Sequence, residues 1–153
     1  MAVTRTYLVV LGRRPDAKAL AAWSDRLAAG GSLDDLRAHL IGSDEFWTKA
    51  GGTTARFVDA AYRQVLGREP DAGGRAFVEA LLADGHGRPE VTRWLLATAE
   101  ADRHLADTWY RMILDRPATS TEATRWATAL HAGRSEASLV ADLLASSEYL
   151  ASI

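Results

Sequence analysis

One phrase occurs three times in this chain of 153 residues. It reads YLVVLGRRPDAKALAAW from Tyr7, YRQVLGREPDAGGRAFV from Tyr62 and YRMILDRPATSTEATRW from Tyr110. The match continues without gaps through most of each copy to a closing phrase, GSDEF, ATAEA or ASSEY. A repeat of this length indicates one supersecondary unit that is built three times, and we expect one cooperative domain. The units are placed at residues 1–53, 54–104 and 105–153.

Each unit has the pattern of about three helices, and no segment has a credible strand pattern. In the second unit, apolar residues follow the spacing of an amphipathic helix at Val58, Ala61, Tyr62, Val65 and Leu66. The glycine of LGR ends this helix, and the proline and aspartate that follow start the next one. The sequence therefore predicts an all-α fold of three tandem helical repeat units, packed into one compact or short solenoid-like body.

The turn after the first helix differs in the third unit. The first two units have Gly12 and Gly67 there, and glycine adopts a positive φ at little cost. The third unit has Asp115 at this place, and Pro117 comes one residue early. We therefore expect the third turn to follow a different backbone path.

Two charged residues recur in every unit, an arginine just after the turn and a glutamate in the closing phrase. The arginines are Arg13, Arg68 and Arg116, and the glutamates are Glu45, Glu100 and Glu148. One interpretation is an acid–base or anion site repeated three times. The other is structural, either an ion pair or an arginine that donates to helix C-terminal carbonyls with the glutamate near a helix start. We favour the structural pair, because the joints of a repeat protein must be copied. If the pair is structural, we expect it to be buried, and Arg68→Ala should lower the melting temperature, since losing one buried partner costs ~3–5 kcal/mol. If it forms an exposed binding site, the melting temperature should barely change.

The strings VLGREPDAGG at 65–74, VLGRRPDA at 10–17, GSDEFW at 42–47 and SSEYL at 146–150 resemble the bacterial domain of unknown function 4214. The resemblance covers nearly the whole chain as three tandem copies, of which the third departs most. It implies an all-α module distantly similar to phycobilisome linker domains. It also implies part of a larger exported, cell-surface or glycan-related protein, so we expect an extracellular or surface location. The first residues do not form a signal peptide, and the resemblance supplies no catalytic residue.

Tryptophan is the remaining signal, with five in the chain. Trp23 and Trp126 occupy equivalent positions on the second helix of their units and are predicted to be core, with Trp109 in or near the core. Trp94 stands where the sister units have histidine and aspartate, and Trp47 where they have aspartate and leucine. Each either is a surface aromatic that anchors a partner, together with nearby loop residues, or is partly buried against a neighbouring helix. The binding candidates are therefore Trp94, Trp47, His86 and Arg88.

Composition excludes several classes of function. The net charge is −2 and no third of the chain is strongly basic, so we expect no nucleic-acid partner. No apolar run approaches the ~20 residues of a membrane span, so we expect no membrane insertion. The chain has no cysteine, and its four histidines lack metal-ligand spacing, so we predict no metal and no cofactor.

Three hypotheses about function follow. The first is a non-enzymatic binding module that presents aromatic and loop residues to a protein or a surface glycan, and it allows a homo-oligomer. The second is a structural spacer or assembly domain. The third is an enzyme that uses Arg68, Glu100 and His104 as an acid–base set. A buried Arg–Glu pair in every unit would argue against the enzyme.

Overall fold

The computed structural model describes residues 2–151, and within this range the regular structure is entirely helical. The first seven helices are α1 (Ala2–Leu11), α2 (Ala17–Ala28), α3 (Leu33–Ile41), α4 (Asp44–Ala50), α5 (Thr54–Leu66), α6 (Ala72–Ala83) and α7 (Arg88–Leu96). The last four are α8 (Ala99–Leu114), α9 (Ser120–His131), α10 (Glu136–Leu144) and α11 (Ser147–Leu150). The all-α prediction is confirmed.

The chain divides into two compact units, Met1–Leu96 and Ala97–Ile153. From here on, the first unit is Met1–Leu96 and the second unit is Ala97–Ile153, and each is described by itself. The three units predicted from the sequence are called repeats. The first contains α1 to α7 and the second contains α8 to α11. Their boundary, after Leu96, lies eight residues before the end of the second predicted repeat at residue 104. One cooperative domain for the whole chain stays a prediction.

The helices recur with matching lengths in the three predicted repeats. The second helix of each repeat (α2, α6, α9) has 12 residues, and the third (α3, α7, α10) has nine. The closing phrase adds a short helix that the prediction of about three helices missed, seen as α4 and α11. In the second repeat it continues directly into the next first helix, so α8 has 16 residues. That junction lacks the KAGGTTA segment, in which Gly51 and Gly52 take positive φ after α4.

The residue that follows the first helix adopts the left-handed conformation in all three repeats. Gly12 and Gly67 have φ of 67° and 71°, and Asp115 has φ of 53°. The expectation of a different third turn is therefore wrong, because aspartate tolerates the left-handed conformation better than most residues. The next helix then begins at the same offset, with Asp71 capping α6 and Thr119 capping α9 through side-chain oxygens.

The core of the first unit is built around α3 and α5. Phe57 and Val58 of α5 are fully buried, as is Leu36 of α3. Phe46 of α4 meets the ring of Phe57 edge-on, with ring centroids 6.2 Å apart. α3 packs on α1 and also on α7, which brings the third helices of two repeats together.

The core of the second unit forms where α9 and α10 meet α8. Trp126 is buried as predicted, and its ring lies 6.2 Å from that of Tyr110. Leu139 and Leu143 of α10 complete the cluster. Trp109 is half-buried at the edge of the cluster, and its indole N–H donates to Glu136 Oε1 at 2.8 Å. The prediction for Trp109 is therefore confirmed as near-core.

Trp23 does not share the environment of Trp126. Its side chain is half-buried, its ring lies 5.3 Å from that of His39, and the Arg26 guanidinium lies 5.2 Å from the ring centroid. The prediction of a core position is wrong for Trp23. α2 packs mainly on α1 and has no buried residue, whereas α9 packs extensively on α8 and buries three residues.

Candidate functional site

The predicted arginine–glutamate pair is formed in the first unit. Arg13 donates from Nε to Glu45 Oε1 at 2.8 Å and from Nη2 to Glu45 Oε2 at 2.6 Å. Arg13 Nη1 also donates to the carbonyl of Arg14 at 3.0 Å, and its guanidinium lies over the ring of Tyr7. Glu45 is in the first turn of α4, where a carboxylate is favoured by the helix dipole. The pair thus joins the turn after α1 to the start of the closing helix.

The same joint is present in the second unit. Arg116 Nη2 donates to Glu148 Oε2 at 2.7 Å, and Nη1 donates to the carbonyl of Pro117 at 3.0 Å. The guanidinium lies 5.1 Å from the ring centroid of Tyr110. Arg116 also binds Glu122 through two hydrogen bonds of 2.8 and 3.0 Å. The third repeat therefore adds a second carboxylate to the pair.

The arginine of the second repeat has the same local geometry. Arg68 Nη1 donates to the carbonyl of Glu69 at 3.1 Å, and the guanidinium lies 5.5 Å from the ring centroid of Tyr62. The predicted partner, Glu100, belongs to the other unit, so this pairing stays a prediction. Each arginine thus rests on a tyrosine six residues earlier. We did not predict this contact, although the tyrosine opens every copy of the repeated phrase.

Both observed pairs lie at the surface, which corrects the expectation of buried pairs. The Arg13 and Glu45 side chains are 45% and 32% exposed, and Glu148 is 49% exposed. The large penalty expected for breaking a buried pair therefore does not apply to these two joints, because water solvates the remaining partner. Their geometry indicates a positioning contact between two helix ends.

The Glu122 carboxylate is held by hydrogen bonds from two residues. It accepts hydrogen bonds from the Arg116 guanidinium. It also accepts hydrogen bonds from the backbone N–H and from the hydroxyl of Thr119, both at 2.8 Å. The Arg116 guanidinium, followed by these Thr119 hydrogen bonds, lowers the pKa of Glu122 from 4.5 to about 2. The contribution of this carboxylate to stability is therefore present above about pH 4.5 and is lost as the pH falls toward 2.

We expect Glu122→Gln to reduce the acid sensitivity of the second unit. At pH 7 the variant should lose about 1 kcal/mol of unfolding free energy, because an ionic partner and part of a helix cap are weakened. Between pH 4.5 and 2 its stability should fall less steeply than that of the wild type. Urea denaturation at a series of pH values measures both effects. Equal slopes for Glu122→Gln and the wild type would contradict the prediction.

Trp94 and His86 form a contact at the surface of the first unit. Trp94, on α7, is 40% exposed, and its ring meets that of His86 edge-on with centroids 5.0 Å apart. His86 Nδ1 lies 3.2 Å from Glu90 Oε1, and both side chains are partly exposed. The indole therefore contacts an imidazole, and part of its surface remains open to water. We call Trp94, His86 and Glu90 the aromatic patch.

The third repeat has an equivalent contact with different chemistry. Its residues at the positions of His86 and Trp94 are Arg134 and Asp142, which form an ion pair of 2.7 Å. In both repeats the loop after the second helix thus touches the third helix at the same two positions. The backbone brings these two positions close together. The side chains at the two positions determine whether an aromatic pair or an ion pair faces the solvent.

Trp47 and Arg88 form a separate pair of candidates. Trp47 is half-buried, with its ring 5.9 Å from that of Phe57 and the Arg88 guanidinium 4.8 Å above it. Arg88 Nε donates to the carbonyl of Gly42 at 3.1 Å, and its Nη2 binds Asp44. This arginine therefore ties the start of α7 to the end of α3. The structure groups the four binding candidates as Trp94 with His86 and Trp47 with Arg88.

The residues of the enzyme hypothesis are distributed over both units. Glu100 and His104 lie one turn apart on α8, whereas Arg68 belongs to the first unit. His104 is half-buried, and burial lowers its pKa. Across residues 2–151, no group of three or more histidine, aspartate or glutamate side chains has a geometry that could hold a metal ion. None of the helices in that range is both long and apolar enough to cross a membrane.

Comparison with known families identifies one segment. A model described as a domain of unknown function (DUF4214) matches residues 38–105, from within α3 to within α8. The expected family is therefore found in this segment, which is less than half of the chain and includes the best-matching copy. Searches of curated proteins and of solved structures give no significant match. Tandem copies on either side and the likeness to phycobilisome linker domains stay predictions.

Proposed function

We propose that this chain is a non-enzymatic interaction module that contacts a partner, a surface glycan or another protein, through the aromatic patch. The exposed ring of Trp94 carries the proposal. Tryptophan combines a large apolar surface with a hydrogen-bond donor, and such residues dominate the energy of many binding surfaces. A tryptophan is left in contact with water here at a position where the other repeats have histidine and aspartate.

The surroundings of the ring suit a ligand with both apolar and polar groups. The edge contact from His86 restrains the indole before binding, so less side-chain freedom is lost when a partner arrives. The Glu90 carboxylate, 46% exposed, and the imidazole supply hydrogen-bonding atoms at the rim. A sugar ring has an apolar face for the indole and hydroxyl groups for this rim. A glycan is therefore the first partner to test.

Trp47 and Arg88 support the module in a different way. Trp47 is packed on Phe57, and the polar atoms of Arg88 are engaged by Gly42 and Asp44. We assign this pair to the internal support of the first unit. Glu100 and His104 receive no catalytic role in the proposal.

We expect Trp94→Ala to reduce binding to a glycan array at least about tenfold, because the anchor of the patch is lost. Its melting temperature should stay within about 2 °C of the wild type, since exposed residues contribute little to stability. The measurement is the labelled chain on the array, with thermal unfolding alongside. Phe77→Ala removes another exposed aromatic, on α6, and should leave binding unchanged.

Trp47→Ala separates binding from stability. This variant should melt at a lower temperature, because a half-buried indole is removed from Phe57. Where it remains folded it should still bind. A wild-type chain that binds no glycan contradicts the glycan partner, and the aromatic patch would then be tested against proteins. Equal binding by Trp94→Ala and wild type would contradict the patch itself.

A structural spacer or assembly domain is the second candidate function. The observation that favours it is an uncovered apolar face on α10, and that face supports a specific form of assembly.

A further inference from the structure

Helix α10 is apolar on two opposite faces, but only one of them is covered. Leu139 and Leu143 are buried in the core of the second unit. On the opposite side four apolar residues are exposed. The largest of them, Leu144, has 41% of its surface accessible to water. We call this surface the outer face of α10, and its residues are Ala137, Ala141, Leu144 and Ala145. A helix that is apolar on both sides is typically covered on both sides.

Three of the four equivalent positions are covered in the first unit. The residues at the positions of Ala141, Leu144 and Ala145 are Ala38 and Ile41 of α3 and its C-cap Gly42, and all three are buried, whereas Asp34, at the position of Ala137, is exposed. α3 packs on α7, which is the third helix of the next repeat. The first unit therefore contains a pair of third helices, whereas the second unit contains a single one.

The contact between α3 and α7 is antiparallel. The end of α3 meets the start of α7, where a Cβ on Gly42 would lie 2.5 Å from the ring and the backbone nitrogen of Pro89. Toward the other end, Asp35 of α3 lies 3.7 Å from Arg93 of α7. Two similar helices that pack antiparallel are related by a local two-fold axis. A two-fold axis also relates the two copies in most homodimers.

We propose that the outer face of α10 binds the same face of a second copy of this chain. The two α10 helices pack antiparallel, as α3 and α7 do, and their crossing point lies near Ala141. This position corresponds to Ala38 in α3 and to Arg93 in α7. The symmetric dimer gives the third repeat the helix partner that the first two repeats give each other.

The side chains of the outer face fit this partner. In the first unit Gly42 lies close to Pro89. The residues at the equivalent positions of the third repeat are Ala145 and Ala137. In the dimer, Ala145 of one copy therefore lies against Ala137 of the second copy. None of the four residues of the face carries a charge, and the nearby Arg134 and Asp142 neutralise one another. Self-association therefore juxtaposes no unpaired like charges. Because a nine-residue helix buries a small area, the dimer is weak and depends on concentration.

Sedimentation equilibrium of the full chain from about 10 µM to 1 mM tests the proposal, because this range covers micromolar to millimolar dissociation constants. The wild type should pass from monomer to dimer, and Ala141→Arg should stay monomeric with an unchanged melting temperature. Ala22→Arg makes the same change at an exposed position of α2 and should dimerise like the wild type. A wild type that is monomeric throughout, or an Ala141→Arg variant that dimerises normally, overturns the proposal.

Disulfide trapping tests the position of the axis. The chain has no cysteine, so Ala141→Cys introduces a single thiol per copy. Under mild oxidation it should form a covalent dimer, because the axis brings the two positions within disulfide range, and Ala22→Cys should not. Dimers that form but cannot be trapped at position 141 overturn the α10 interface. The proposal does not depend on the aromatic patch, since Trp94→Ala should dimerise normally.

Discussion

Phe57→Ala is expected to destabilise the first unit by about 3–5 kcal/mol, the largest effect of any single side-chain truncation proposed here. Phe57 is fully buried and contacts the rings of Phe46 and Trp47, so its removal leaves a cavity between α4 and α5. Neighbouring helices can collapse only partly into such a space. Urea denaturation followed by circular dichroism measures the loss.

Phe77→Ala is the matched control, because it makes the same chemical change at a position that is 61% exposed. Its effect should remain within about 0.5 kcal/mol. Similar losses for the two variants would contradict the arrangement of the first unit's core. The urea transition of Phe57→Ala also tests the predicted single cooperative domain. If only one part of the unfolding curve shifts relative to the wild type, the chain does not unfold as one cooperative domain.

Gly42→Val is expected to cost about 3 kcal/mol or more, because a side chain at this position meets the backbone of another helix. A Cβ on Gly42 would lie 2.5 Å from both the nitrogen and the Cγ of Pro89. The collision involves the backbone, so rotating a side chain cannot relieve it, and α3 and α7 must separate. Thermal and urea denaturation of the variant measure the loss.

Gly12→Ala is the control for this variant and separates two reasons for having a glycine. Gly12 has a positive φ but open space around it, so alanine there should cost about 1 kcal/mol of backbone strain. Gly42 has φ of −75°, an ordinary value for any residue. The equivalent residues Ala97 and Ala145 show that the repeat does not require glycine at this place. If Gly42→Val costs no more than Gly12→Ala, the close contact with α7 is contradicted.

The local structure of this chain was readable from its sequence. The 3.6-residue spacing of apolar residues predicts the helices, and the glycine and aspartate of the repeated phrase predict the turn and the cap that follows. These signals act within a few residues, so a single copy contains them. The Arg13–Glu45 and Arg116–Glu148 contacts were predictable for a different reason, since repetition identified partners 32 residues apart.

The repeat itself also caused the errors. It suggested that Trp23 is buried like Trp126, and that Asp115 needs a turn unlike that of Gly67. Equivalent positions in a repeat have the same backbone, which explains why the turn is preserved. They do not have the same neighbours, which explains why one tryptophan is buried and the other is not.

The sequence by itself determined the helical pattern of each repeat, the glycine turns of the first two repeats and the Arg13–Glu45 and Arg116–Glu148 pairs. The tertiary structure alone decided burial: the exposure of the Arg13–Glu45 pair, the half-buried position of Trp47 and the exposed ring of Trp94. It also decided that α3 is covered on both faces while α10 is covered on one. Burial depends on which distant helix packs against a given face, and local spacing does not specify that helix.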